Sequence, residues 1–153
     1  IGASFCQTNR GGDITYHGPG QVVVYPVFYL EAFRVGVKRY IENIEQAVIH
    51  MLNDYQIKAM RMPDAIGVWL EADTPAARKI CAIGVRVSRG ISMHGLALNV
   101  NTQLEYFNYI HPCGFVDKGV TSMEKELHSK VDINEVKEKL REKLAEVFDL
   151  EFV

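Results

Sequence analysis

Between Val37 and Asn101 the chain runs one long helical pattern into four short β-rich segments, and that succession leaves few ways to fold. Apolar residues at Val37, Tyr40, Ile41, Ile44, Val48, Met51, Leu52 and Tyr55 recur with the spacing of one helical face, which predicts an amphipathic helix from Val37. The segments from Gln56 to Met60, Ile66 to Glu71, Lys79 to Val87 and Ser92 to Asn101 follow. They are separated by the turn signals Met62-Pro63-Asp64, Asp73-Thr74-Pro75 and Ser88-Arg89-Gly90. Ahead of the helix, Gln21 to Leu30 is rich in valine and aromatics and reads as a strand, with Pro26 marking an edge or a bulge. Thr121 with Glu124 has the form of a capping box before a short helix. Asp132 with Glu135 has the form of another, before a helix carrying Ile133, Val136, Leu140, Leu144 and Val147. The fold class is therefore α+β, a mostly antiparallel sheet with helices packed on one face.

Length and composition fit one domain over residues 1–153, with 48% hydrophobic and 24% charged residues able to enclose a core. The longest apolar stretch, Val22 to Leu30, is broken by Tyr25 and Pro26 and falls short of the ~20 residues a bilayer-spanning helix needs. The first residues have none of the basic, apolar and small-residue regions of a signal peptide. Cys6, Cys81 and Cys113 are odd in number and lack paired spacing, which suits free thiols in a reducing space; the expected location is the cytoplasm. A net charge of −2 gives no basis for nucleic-acid binding, and no membrane association is expected.

Three segments carry chemistry. The loop RGGDITYHGPGQ, Arg10 to Gln21, is glycine-rich without matching a phosphate loop or a dinucleotide fingerprint. Its glycines allow close approach of a ligand to the backbone, although a turn between strands explains them equally well. Lys79 opens the apolar run ICAIGVRV, where a lysine beside buried surface can trade protons with a neighbour; on its own it would be an ordinary solvated charge. Cys113 lies between Pro112 and Gly114, restrained on one side and open to a ligand on the other, yet a lone cysteine is commonly a small buried residue. Cys81 is the competing thiol. Two residues from Lys79 on a strand it is expected on the same face, with apolar neighbours that favour packing over reactivity. His17, His94, His111, Cys81 and Cys113 do not fall into the short paired spacings of structural zinc, so no metal is expected.

Together, RGGDITYHGPGQ, the run RKICAIGVRVSRG around Lys79 and the HPCG segment around Cys113 resemble the lipoyl(octanoyl) transferase family, in the family's order and approximate spacing. The resemblance implies the catalytic fold of biotin and lipoate protein ligases. It implies an acyltransferase that moves an octanoyl group from acyl carrier protein to a lysine ε-amine. The acceptors would be lipoyl domains of 2-oxoacid dehydrogenases and the glycine-cleavage H protein. Cys113 would be the nucleophile that forms a thioester acyl-enzyme, and Lys79 its proton-carrying partner, with no cofactor. Arg10, Gly11, Gly12, Asp13, Ile14, Thr15, Tyr16 and His17 would line the acyl site, with Ala82, Ile83 and Gly84 and with His94, Gly95, Leu96 and Ala97. The family carries several dozen residues ahead of this loop, so the chain is read as a catalytic domain shortened at its amino end. Three rivals stay open: an ATP-dependent lipoate or biotin ligase, which needs no thiol nucleophile, a non-catalytic acyl-binding remnant, and a simple cysteine hydrolase, the weakest because no histidine-plus-carboxamide pattern is apparent.

Overall fold

The computed structural model describes residues 2–110 and 118–151. Cys113 lies outside them, as do His111, Pro112 and Gly114.

Six strands are present among the described residues: β1 (Gln21–Val24), β2 (Met60–Met62), β3 (Ala65–Leu70), β4 (Arg78–Ser88), β5 (Ile91–Asn99) and β6 (Gly119–Val120). They form one sheet in the order β1-β5-β4-β3-β2, and β6 joins the start of β4. Every pairing along that path is antiparallel, as the short turns require from β2 to β5; β6 alone runs parallel, matching Arg78 with Gly119 and Lys79 with Val120. The helices are α1 (Val37–Asp54), α2 (Met123–Leu127) and α3 (Ile133–Phe148), with a 3₁₀ turn at Leu104–Tyr109.

The expected helix from Val37 is α1, and its buried residues Tyr40, Ile44, Val48, Met51 and Leu52 belong to the predicted stripe. They meet Val136, Leu140, Leu144 and Phe148 of α3 and the inner residues Val68, Leu70, Leu96 and Leu98 of the sheet in one core. Burying such side chains stabilises by ~1.5–3 kcal/mol each, so this two-layer contact is what holds the domain together. Polar groups at its margin are matched. Glu45 is buried, and its carboxylate accepts from Gly67 N and from Arg61 Nε, each at 3.0 Å.

Several boundaries differ from the sequence reading. The first strand ends at Val24, because the chain turns away at Pro26; only Tyr29 returns, bridging Ile91. Residues Gln56 to Ala59 are not paired, since Gln56 takes φ 60° to leave α1, and the strand begins at Met60. The short helix is capped by Ser122, whose hydroxyl accepts from Lys125 N at 3.2 Å, and Thr121 instead donates to Glu126. Asp132 does cap α3, accepting from Asn134 N, while Glu135 accepts from the Tyr55 hydroxyl instead of closing the box.

The two hydroxyls are separable by mutation. Ser122→Ala should cost about 1 kcal/mol in urea denaturation through loss of the cap, whereas Thr121→Ser, which keeps the bond to Glu126, should cost less.

Candidate active site

Strand alternation gives the sheet a second face. Alternating with the core pairs Cys81–Leu98 and Ile83–Leu96 of the β4–β5 ladder are Ala82–Ala97 and Gly84–Gly95, which turn away from the helices. Four small residues side by side leave a shallow trough there, and the Arg10–His17 loop closes over it. A cleft of about 750 Å³, counting the solvent at its mouth, is lined by Arg10, Gly12, Asp13, Ile14, Thr15 and His17, by Ala82 to Gly84 and by His94 to Ala97. Lys79 lines it as well.

The loop is held by its own polar groups and by the glycines beneath it. Arg10 Nη1 donates to Gly11 O at 3.0 Å and Nη2 to Asp13 O at 2.6 Å, while Gly11 N donates to Val85 O at 3.0 Å. At Gly84 the approach is so close that a Cβ there would sit 2.6 Å from Gly11 O, so no larger residue fits without lifting the loop. Tyr16 stacks on Tyr106 with ring centroids 5.1 Å apart and meets Phe107 edge-on. Gly11 and Tyr16 are thus anchors of the loop, outside the cleft lining.

Lys79 projects to the cleft side over the Trp69 indole, its Nζ 4.6 Å from the ring centroid. Trp69 is itself fixed, 2% exposed with Nε1 donating to Ala65 O. The ring face attracts the ammonium and holds it at the end of the cleft. Lys118 Nζ approaches the same ring at 5.9 Å. Next to Lys79, Arg78 forms a two-pronged pair with Glu126 at 2.7 and 2.8 Å and a further ion pair with Glu71. The Arg78 bonds hold the Glu126 carboxyl below its ordinary value against the opposing effect of burial, and the pair ties α2 and β6 to the start of β4.

The lipoyl protein ligase A/B catalytic domain model matches residues 1–145. The chain belongs to that family. It is 60% identical over 146 residues to the octanoyltransferase of Bacteroides fragilis, an alignment that covers 95% of the chain and 66% of that enzyme. To the octanoyltransferase of Bacteroides thetaiotaomicron it is 59% identical over 140 residues, covering 92% and 62%. The chain therefore spans about two thirds of the length of these relatives. Among solved structures, biotin protein ligase from Aquifex aeolicus superposes with a TM-score of 0.65 at 15% identity, over 85% of this chain and 53% of that one. The bipartite lipoate protein ligase of Thermoplasma acidophilum reaches 0.65 at 18%, over 94% and 57%. The expected family and ligase-type catalytic fold are both found, and likeness at this identity speaks to the fold alone.

One placement departs from the sequence reading. Cys81 is not on the face of Lys79. Val68 pairs with Cys81 and the next residue, Trp69, with Lys79, so Ile80 is an extra residue on β4 and the alternation reverses across it. Lys79 goes to the cleft; Cys81 goes to the core, fully buried beside Val68 and Leu98. Burial pushes its thiol well above the usual cysteine range, with the Lys79 charge opposing. The reading of Cys81 as a packing residue agrees with that burial.

Five lining residues were not foreseen: Gln21, Tyr25, Asn99, Phe107 and Val120. Two of them carried a signal. Gln21 closes the glycine-rich motif, and Asn99 is an amide directly after the apolar run Leu96-Ala97-Leu98, 4% exposed. Among the described residues no group of three or more His, Cys, Asp or Glu is arranged for a metal ion, and no helix is long and apolar enough to cross a membrane.

Because the folded Cys81 thiol stays neutral, its contribution to stability is complete below the unfolded-chain pKa of ~8.5 and declines as pH rises through that value, where only the unfolded state ionises. Iodoacetamide at pH 8 should therefore modify exposed Cys6 while leaving Cys81 unlabelled until denaturant is added, as read by peptide mass.

Proposed function

We propose that this chain is an octanoyltransferase, moving an octanoyl group from acyl carrier protein to the lysine of a lipoyl domain through a thioester on Cys113. The observation that carries the reading is that Phe107 and Val120, which flank Cys113 in the sequence, both line the cleft that holds Lys79. The names of the relatives support the same activity. In the resting pair the Lys79 ammonium stabilises the Cys113 thiolate. The thiolate attacks the octanoyl carbonyl, a new C–S bond forms, the C–S bond to the carrier breaks, and the departing carrier sulfur takes a proton from Lys79. The neutral ε-amine of the acceptor lysine then attacks the acyl-enzyme. The C–N bond forms, the C–S bond to Cys113 breaks, and the amine proton passes to Lys79, restoring the starting ion pair. Energy is already stored in the thioester, so the scheme uses no nucleotide. Arg10 to His17, Ala82 to Gly84 and His94 to Ala97 serve as the wall around the acyl group.

The carrier and the lipoyl domain are typically acidic, so docking calls for local positive charge. Arg86 and Arg89 suit this role: both are exposed, and Arg86 shares the strand alternation of Ala82 and Gly84 beyond the end of the cleft. Lys38 and Arg39 suit it less, since each pairs with Glu42.

Intact mass after mixing with octanoyl carrier protein, without ATP, tests the chemistry. Cys113→Ala should form no adduct, Cys81→Ala should still form one, and Lys79→Ala should acylate slowly at neutral pH and faster as pH approaches ~8.5, where an unassisted thiol ionises. An adduct on Cys113→Ala, or one that needs ATP, would sink the proposal and favour a ligase. Reversing both charges, Arg86→Glu with Arg89→Glu, should weaken carrier binding roughly tenfold or more at low salt and progressively less as salt is raised.

A further inference from the structure

We propose that Gln21 and Asn99 act as positioning residues that hold neutral His17 as its Nδ1–H tautomer, so that Nε2 presents a lone pair to the amine that enters the cleft. The part assigned to the amine rests on the transfer reading above; the tautomer does not.

The argument is one of donors and acceptors. Backbone carbonyls only accept hydrogen bonds, and they fix both amides. Asn99 Nδ2 donates to Thr121 O at 3.0 Å, which leaves Asn99 Oδ1 facing Gln21. Gln21 Nε2 donates to that oxygen at 2.9 Å and to Tyr16 O at 3.1 Å, so the Gln21 amide is oriented by two independent acceptors. Gln21 Oε1 is then the atom that faces His17, 2.8 Å from Nδ1. An oxygen without a proton requires a donor opposite, so Nδ1 carries the hydrogen. The Nε2–H tautomer would set two lone pairs against each other at that distance, and the chain of amides excludes it.

Nε2, on the far edge of the ring, has no partner among the described residues, and His17 lines the same cleft as Lys79. Asn99 is 4% exposed and Thr121 is fully buried, so the inner end of the relay is shielded from water that would otherwise satisfy it. Thr121 N in turn donates to Lys79 O at 2.9 Å, so the strand that carries Lys79 and the relay that orients His17 share one backbone unit. A fixed acceptor in that position suits an N–H donor. The acceptor lysine must approach the acyl carbonyl as a neutral amine, and a hydrogen bond from one of its N–H groups to Nε2 leaves its lone pair directed at the carbonyl. The carrier thioester brings no N–H on the sulfur or the carbon bonded to its carbonyl carbon.

Long-range ¹⁵N–¹H correlation on the full chain labelled in histidine reads the tautomer directly. The expected result is Nδ1–H for neutral His17 in the unaltered protein, and a shift toward the Nε2–H form that free histidine favours in Gln21→Leu and Asn99→Ala. Finding Nε2–H in the unaltered protein, or Nδ1–H unchanged in both variants, would overturn the relay. The spectrum of the unaltered chain decides the tautomer even if a variant fails to fold. For the amine, His17→Asn keeps a donor toward Gln21 and removes the acceptor at the Nε2 position. Transfer from preformed acyl-enzyme to a lipoyl domain should slow roughly tenfold in it and in Gln21→Leu, the size of one lost hydrogen bond, with a smaller change in acylation. Transfer at the unaltered rate in His17→Asn would overturn the amine's contact. If the unaltered chain forms no acyl-enzyme, the transfer reading fails, while the ¹⁵N result still decides the tautomer.

Discussion

Everything in this molecule hangs on the β4–β5 ladder. Its register sets Cys81 and Ile83 against Leu98 and Leu96 on alternate positions, with Ala82 and Gly84 against Ala97 and Gly95 on the positions next to them. Large side chains thereby fall on the helical side and small ones on the other. A slip of one residue would exchange the two sets and bury the trough while exposing the core, so the hydrophobic contact with α1 and α3 also fixes the shape of the cleft. Stability and site geometry are two consequences of one pairing.

The break in that regularity at Ile80 matters as much as the regularity. With strict alternation, Lys79 and Cys81 would share a face, and an ammonium would lie beside a thiol with no role in the proposed chemistry. The extra residue separates them, one over Trp69 and the other in the core. A buried ammonium on the helical side would have been costly, and a second thiol in the cleft would compete with any cysteine nucleophile acting there.

That break also marks the boundary between what the sequence reveals and what it hides. The helical stripe of α1 and the turns between strands are local signals, set by periods and turn residues within a few positions, and they are legible. The glycine-rich loop and the small residues of β4 and β5 are legible through their motif, and most of them meet in one cleft. The bulge is not, because a register shift is decided by how two strands fit each other, and nothing in KICAI alone marks which residue is extra. Ser122 is hidden beside Thr121 because adjacent hydroxyls look alike until backbone geometry selects one as the cap. Gln21 and Asn99 are far apart in sequence, so their amides acquire meaning only once β1 and β5 pair Gln21 with Asn99. Cys113 is named by its motif, and its position lies outside the described residues.

The trough is walled by backbone more than by side chains, and this gives the site a one-way response to change. Where Ala82, Ala97, Gly84 and Gly95 form the floor, there is almost nothing left to remove. Apart from alanine to glycine, which removes one methyl group, any single replacement adds bulk. At Gly95 the added Cβ would press on Val24 O and on the Pro26 ring, and at Gly84 on Gly11 O. Variation at these four positions can make the cavity shallower or dislodge its loop, but it can deepen it by no more than a methyl group at Ala82 or Ala97. A lineage with this floor can drift readily toward smaller ligands, whereas accommodating a longer one would require change elsewhere in the wall.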